Sequence, residues 1–270
     1  VIRFNWMWRY NKPMDQSDLI KISDELDAVG YYSMLVTVHS RSSDYLPIIS
    51  SVLDRGHKLK YILAIRPYLL SPQYLMMLLA GMEEVARDRI MLNWVHGTLG
   101  PKENFDAVLS LPGDMNDPEV RRKHMIDFIE ALDKTNMHQD IKIPESMMSG
   151  GNPNTINLVK RFGMHLGSGY DVFINNYESY RKYEFPKIFV QVSLLIRDTD
   201  EEALAIKDER VVENINVIAG SKETIEKKIL ELYSMGATDL LVSNAFGEQG
   251  EERQRIHELV KSMKDRGLAI

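Results

Sequence analysis

Residues 58–97 read KLKYILAIRPYLLSPQYLMMLLAGMEEVARDRIMLNWVHG, a pattern of strand, loop, helix and strand. The apolar run Tyr61-Ile62-Leu63-Ala64-Ile65 ends at Arg66-Pro67, and Ser71-Pro72 opens a helix rich in methionine and leucine. Arg89 leads into a second apolar run, Ile90-Met91-Leu92-Asn93-Trp94-Val95, closed by His96-Gly97. Strands with near-continuous apolar runs are buried on both faces, as in a parallel sheet. Parallel neighbours need a crossover of a dozen or more residues, which this helix supplies. The stretch is therefore a βαβ unit. Polar groups gather where its strands end: Arg66 after one, Asn93 and His96 at the other. In a (β/α)8 barrel that edge carries the active site.

The pattern continues in both directions. Further strands are expected at residues 2–8, 33–38, 141–148, 170–174, 187–196 and 239–243. Helical apolar spacing marks residues 16–29, where Leu19, Ile22, Leu26 and Val29 precede the terminator Gly30. Other helices are expected at residues 44–53, 154–162, 200–209, 221–235 and 251–265. Asp117-Pro118 starts a long one reaching about Asn136, with proline at a first helical position. Eight strands, nearly all separated by helices, give an α/β fold and a closed (β/α)8 barrel. An open doubly wound sheet is the other arrangement, but the chain has no G-x-G-x-x-G after its first strand and no P-loop. No low-complexity linker divides residues 1–270, which read as a single TIM-barrel domain.

Composition narrows the function. A net charge of −6 gives no general attraction to nucleic acid or to an anionic membrane. With no cysteine, disulfides, thiolate metal sites and a cysteine nucleophile are excluded, which fits a reducing cytoplasm. No apolar run approaches the roughly 18 residues of a membrane span. Val1-Ile2-Arg3-Phe4 reads as a first strand rather than a signal peptide. The 15 methionines serve as adaptable core filler or line a flexible apolar pocket. The seven histidines fall mostly in helices or loops with no H-x-H pair, so no metal site is expected and a metal hydrolase is disfavoured.

Several segments, in their order and spacing, carry a family resemblance: IRFNWMW from Ile2, the run from Gly30 to Leu53, KLKYILAIRPYLLSP, DRIMLNWVHG, MSGGNPNT and IAGSKETIEKKILELYSMGATDLLVS. Together they resemble the luciferase-like flavin monooxygenases (bacterial luciferase and alkanesulfonate monooxygenases), over essentially the whole chain. The most specific pieces are Arg-Pro-x3-Ser-Pro from Arg66, Asn-x-Val-x-Gly from Asn93 and Gly-Ser-x-Glu-Thr-Ile from Gly220. The resemblance implies a TIM barrel that takes reduced FMN from a separate flavin reductase and reacts it with O2. A C4a-peroxyflavin then oxygenates an organic small molecule. It also implies a homodimer. Some relatives use the deazaflavin F420 for hydride transfer instead.

Site residues follow from the same resemblance. Ser149 to Thr155, SGGNPNT, matches the turn that holds the FMN phosphate, through Gly151, Asn152, Asn154 and Thr155. Small residues let backbone N–H groups approach an anion, and a helix start favours negative charge. An ordinary turn with an asparagine cap is the alternative. Relatives often have serines at Asn152 and Pro153, and Pro153 removes one N–H donor. Asn93 is placed to bind the pyrimidine side of the flavin ring, and His96 to contact the flavin or steady a peroxy oxygen. Residues 39–44, HSRSSD, put Ser42 where the closest-looking branch has a cysteine, so Ser42 is a candidate donor to the flavin N5 or the peroxide. The alternative is a capped helix start at Ser42 and Asp44. His39 and Arg41 are candidate substrate contacts, with a surface position the alternative for Arg41. Trp6 and Trp8 share a strand face and wall the flavin pocket if that face is the barrel interior; otherwise they are core.

Two departures shape the substrate. Gln191 and Ser193 stand where the sulfonate-oxidising branch has arginine and histidine, which argues against an alkanesulfonate. The long mobile insertion after strand seven is essentially missing, since residues 208–216 bridge that gap directly. A cover must then come from a partner, from the substrate or from residues 98–116, unless the protein binds flavin without efficient oxygenation. An open mouth also suits a bulky or carrier-bound substrate. The alternatives to an FMN monooxygenase are an F420-dependent oxidoreductase and a non-catalytic flavin-binding barrel.

Overall fold

The computed structural model describes residues 1–8, 15–37, 45–53, 55–56, 58–82, 84–95, 117–136, 141–210, 217–245 and 250–270. Its strands are β1 (Arg3–Met7), β2 (Ser33–Val36), β3 (Lys60–Ile65), β4 (Ile90–Trp94), β5 (Ser146–Ser149), β6 (His165–Gly169), β7 (Ile188–Arg197), β8 (Val217–Ser221) and β9 (Asp239–Asn244). The helices are α1 (Gln16–Val29), α2 (Tyr45–Leu53), α3 (Pro72–Ala80), α4 (Glu84–Arg87), α5 (Pro118–Asn136), α6 (Pro153–Arg161), α7 (Tyr170–Arg181), α8 (Asp200–Arg210), α9 (Lys222–Ser234) and α10 (Gly250–Asp265).

Every ladder is parallel, and eight strands close on themselves. β1 pairs with β2, the ladder runs on through β6 to β7, and β9 joins β7 back to β1. This is the (β/α)8 barrel expected from the sequence. Strand alternation separates two layers. Met7, Leu35, Ile62, Met91, Met147, Phe189 and Leu241 form one buried cluster that fills the lumen. Phe4, Trp6, Met34, Leu63, Leu92 and Val242 join the larger cluster between sheet and helices. The barrel is thus a packed core and not a pore.

The helices begin and end where local chemistry dictates. Asp15 caps α1 by accepting the Asp18 N–H at 2.8 Å, and Gly30 ends it at φ 90°, which glycine adopts without strain. Leu19, Ile22 and Leu26 give α1 its buried stripe. Ser71 caps α3 by accepting the Tyr74 N–H at 3.1 Å.

Two expectations are corrected. Residues 170–174 are the start of α7, not a strand; the sixth strand is β6, His165-Leu-Gly-Ser-Gly169. Tyr-Asp-Val-Phe-Ile has strand propensity, whereas two glycines read as a loop. Packing overrides both. A Cβ on Gly167 would stand 2.3 Å from Ser149 Oγ and 2.9 Å from Met147 Cε, so the lumen requires glycine there. Phe173 and Tyr180, two helical turns apart, are fully buried on the face of α7 that meets the barrel. The second correction is β8. It lies after the seventh strand and pairs with β7 from Ser193↔Val217 to Arg197↔Ser221. Because β9 holds the other edge of β7, β8 continues the edge that β6 occupies lower down.

The N-terminal end of the lumen is closed by polar pairs. Arg3 meets Asp239 at 2.6 Å; Asn5 donates to Asp239 at 3.3 Å and accepts from Ser33 at 2.6 Å. Lys187 and His165 converge on Glu145 at 2.6 and 3.3 Å. Burial raises the Glu145 pKa, but hydrogen bonds from Lys187 and His165 outweigh it and hold the carboxyl at about 2. Its side chain is 57% exposed, so solvent screens much of that interaction.

Candidate active site

The opposite end of the barrel carries Asn93, Gln191, Ser193 and the turn of Gly151, Asn152, Asn154 and Thr155. On β4, Asn93 alternates with the lumen residue Met91 and sits in register between Ala64 of β3 and Met147 of β5. It is buried, and its Oδ1 has no hydrogen-bond partner. Leaving a buried acceptor bare costs about 1–3 kcal/mol. Arg66 follows Ile62 and Ala64 on the lumen side of β3, is buried, and precedes a short 3-10 turn at Pro67–Leu69.

On the far side, Gln191 is half-buried and pairs in register with Gly169 and Leu241. Ser193 is fully buried, and its Oγ lies 3.0 Å from Ser243 Oγ on β9. Leu195, Val217 and Ala245 form a small apolar cluster one lumen position further along. Ser193 is therefore committed to Ser243 rather than presented bare. Sequence reasoning missed Ser243, although it holds a lumen position near the end of the last strand.

The SGGNPNT turn leads from β5 into α6. The Gly150 N–H donates to the Gly167 carbonyl at 2.9 Å. Asn152 is the N-cap; its Oδ1 accepts the Thr155 N–H at 2.9 Å, and Pro153 takes the first helical position. Asn152 and Asn154 are exposed, Gly151 is half-buried and Thr155 is buried. A Cβ on Gly151 would lie 2.0 Å from Val172 Cγ1, in the first turn of α7. That contact brings two helix starts together. The second, at Gly169, has no side-chain cap but carries Asp171 in its first turn, whereas the first turn of α6 carries no acidic residue. The α6 start, free of acidic residues, is the one that favours an anion.

The Gly-Ser-x-Glu-Thr segment looks similar in sequence but is differently filled. Ser221 caps α9, and the Asp200 carboxylate occupies its start. It accepts the Ser221 N–H at 2.6 Å and the Thr224 hydroxyl at 2.8 Å. These bonds, led by the Ser221 N–H, hold the Asp200 carboxyl below its usual range.

Trp6 does not line the lumen. It is fully buried on the outer face of β1, edge-on to Tyr31 at 5.9 Å and 5.5 Å from the His257 ring. Trp8 belongs to the same outer cluster. The expected positions His39, Arg41, Ser42 and His96, and residues 98–116, lie outside the described residues. Among the described residues no cluster of histidine and carboxylate groups could hold a metal ion, and no helix is long and apolar enough to cross a membrane.

The closed parallel barrel with its crossover helices is a fold shared with solved structures whose activities differ. Solved structures with this fold include the oxygenating constituent of 3,6-diketocamphane monooxygenase from the CAM plasmid of Pseudomonas putida, a type II Baeyer–Villiger monooxygenase in complex with FMN. Its TM-score is 0.73 at 14% identity, over 97% of each chain. A riboflavin lyase with modified FMN and the substrate riboflavin superposes with TM-score 0.75 at 13% identity, over 100% of this chain and 92% of that one. An F420-dependent secondary alcohol dehydrogenase in complex with an F420–acetone adduct gives 0.71 at 12% identity, over 96% and 98%. At these identities the likeness is one of fold. No family model matches the chain.

Proposed function

We propose that this chain is an FMN-dependent monooxygenase acting on an organic small molecule, with reduced flavin supplied by a separate reductase. The observation that carries the reading is the bare, buried Asn93 Oδ1 in the lumen wall, on the strand next to β5, which leads into the α6 turn. The pyrimidine edge of a flavin presents an imide N–H between two carbonyls. A primary amide complements it, accepting through Oδ1 and donating through Nδ2. The phosphate end then falls to the turn of Gly151, Asn152, Asn154 and Thr155. Asn152 already caps Thr155, so an anion there shares or displaces that cap. Bound reduced FMN supplies the electrons that activate O2; the protein orients the ring and excludes water. His96 and Ser42 are assigned to the reacting face, and His39, Arg41 and Gln191 to substrate. Ser193 supports that wall through Ser243. With an uncharged pair at Gln191 and Ser193, a neutral substrate fits better than a sulfonate.

The likeness to an F420-dependent dehydrogenase keeps a second reading open, because a deazaflavin has the same pyrimidine edge. We place the protein in the cytoplasm, consistent with its lack of cysteine. A homodimer is expected too, supported by the exposed apolar side chains Leu69, Tyr74 and Met77 on and beside α3.

Anaerobic titration with FMN, reduced FMN and F420, followed by 18O2 and a flavin reductase, tests the reading. Preferential binding of reduced FMN and a product carrying one labelled oxygen atom are expected. F420 binding alone moves the assignment to hydride transfer, and binding of neither overturns it.

A further inference from the structure

The lumen face of β5 carries a polar residue with no role so far. Alternation puts Met147 in the lumen, level with Asn93, and Ser149 at the next lumen position, about 7 Å further toward the mouth. Met147 is fully buried, whereas Ser149 is exposed. The register partner of Ser149 on β6 is Gly167, and a Cβ there would meet Ser149 Oγ at 2.3 Å. The hydroxyl therefore leans across bare β6 backbone inside the lumen, and not outward to the helices. The Gly150 N–H, bonded to the Gly167 carbonyl at 2.9 Å, ties the two strands together at this point.

Other hydroxyls at this end of the lumen are committed. Ser193 and Ser243 bond each other at 3.0 Å, and Thr37, which follows Leu35 on the lumen side of β2, donates to the Trp8 carbonyl at 3.4 Å. Ser149 has no hydrogen-bond partner among the described residues. A hydroxyl both donates and accepts, so both capacities of Ser149 are open to a ligand. Its place is fixed by two neighbours. Asn93 lies one lumen layer below it on the adjoining strand, and the turn of Gly150 and Gly151 follows it directly.

We infer that Ser149 binds the ribityl chain of the cofactor, exchanging a hydrogen bond with one of its hydroxyls in place of solvent. The inference rests on the flavin reading, in which Asn93 takes the pyrimidine edge and the α6 turn takes the phosphate. Those two ends of the molecule are joined by the ribityl chain, a run of vicinal hydroxyls, and the way along the lumen wall from Asn93 to the turn passes Ser149. FMN and a deazaflavin share that polyol, so the contact serves either.

Anaerobic titration of the full chain with reduced lumiflavin, riboflavin and FMN separates the parts of the ligand. Lumiflavin has the ring alone, riboflavin adds the polyol, and FMN adds the phosphate. Ser149→Ala should weaken riboflavin and FMN by the same factor, about fivefold for one hydrogen bond, and leave lumiflavin unchanged. The melting temperature should not move, because the exposed hydroxyl holds nothing in the fold. If F420 is the ligand the chain binds, its affinity should fall by that same factor. Riboflavin affinity unchanged in the variant, a loss confined to FMN, or an equal loss for lumiflavin overturns the assignment to the polyol. A wild-type chain that binds none of these ligands overturns the flavin reading and this assignment with it, whereas normal binding by both wild type and variant overturns this assignment alone.

Discussion

Two helix starts in this molecule share a plan and differ in charge. At α6, Asn152 caps the Thr155 N–H at 2.9 Å; at α9, Ser221 caps the Thr224 N–H at 3.3 Å. Each follows a strand and a small residue, and each carries threonine three positions after its cap. The α9 start is filled by the protein's own anion, the Asp200 carboxylate. The α6 start has no acidic residue in its first turn, although it abuts the start of α7, which carries Asp171. Gly-Ser-x-x-Thr and Gly-Asn-x-x-Thr are therefore not anion sites by spelling. A helix start is open to a ligand anion only where the fold does not supply an internal one.

That contrast can be broken at its tightest point. Gly151→Val drives a side chain into Val172 and parts α6 from α7. Reduced-FMN affinity should fall more than tenfold by anaerobic titration, with a loss of about 1–3 kcal/mol in denaturant unfolding. Unchanged affinity would remove the paired helix starts from the site. Next in size is Asn93→Leu. It should weaken reduced FMN roughly five- to tenfold yet leave stability unchanged or raised, because a bare buried acceptor disappears. A large fall in melting temperature would mean that Asn93 is structural. Gly220→Ala is the matched control at α9. Its Cβ would lie 2.8 Å from Thr224 Cγ2 and 3.0 Å from Asp200 Oδ1, so it should lower stability and spare flavin affinity.

The smallest effect sharpens the electrostatics. The Asp200 pKa is depressed in the folded state, chiefly by the Ser221 N–H. Its contribution is thus present above the ordinary value of 3.8 and lost as pH falls through the folded value. Asp200→Asn should lower the melting temperature slightly at pH 7, flatten its fall in acid, and add a small stabilisation by millimolar phosphate. If phosphate has no effect on the variant, vacating the carboxylate is not enough to make the α9 start an anion site.

Much of this barrel was legible because buried parallel strands announce themselves as apolar runs, as residues 61–65 and 90–95 do. The failures share a cause. At residues 165–174 local propensity pointed to a strand in Tyr-Asp-Val-Phe-Ile, while the contact that demands glycine comes from Ser149 and Met147 on a neighbouring strand. β8 was hidden because Val217–Ser221 runs straight into a helix cap. In the site, the small residues of the α6 turn could be read directly. The Ser193–Ser243 bond could not, since it depends on the register of β7 and β9. Alternation paired Trp6 with Trp8 but could not choose their face, because both faces of a buried parallel strand are apolar.

β8 has one more consequence. Closing a sheet into a barrel removes every free strand edge, and with it a template for unwanted pairing. β8 brings one back: among the described residues it pairs with β7 alone. The exposure is kept small, because β8 is only five residues long and Ser221 turns the chain at once into α9. A longer or more apolar strand here would give chains a place to add to one another edge to edge, so its brevity protects against aggregation as much as it serves the fold.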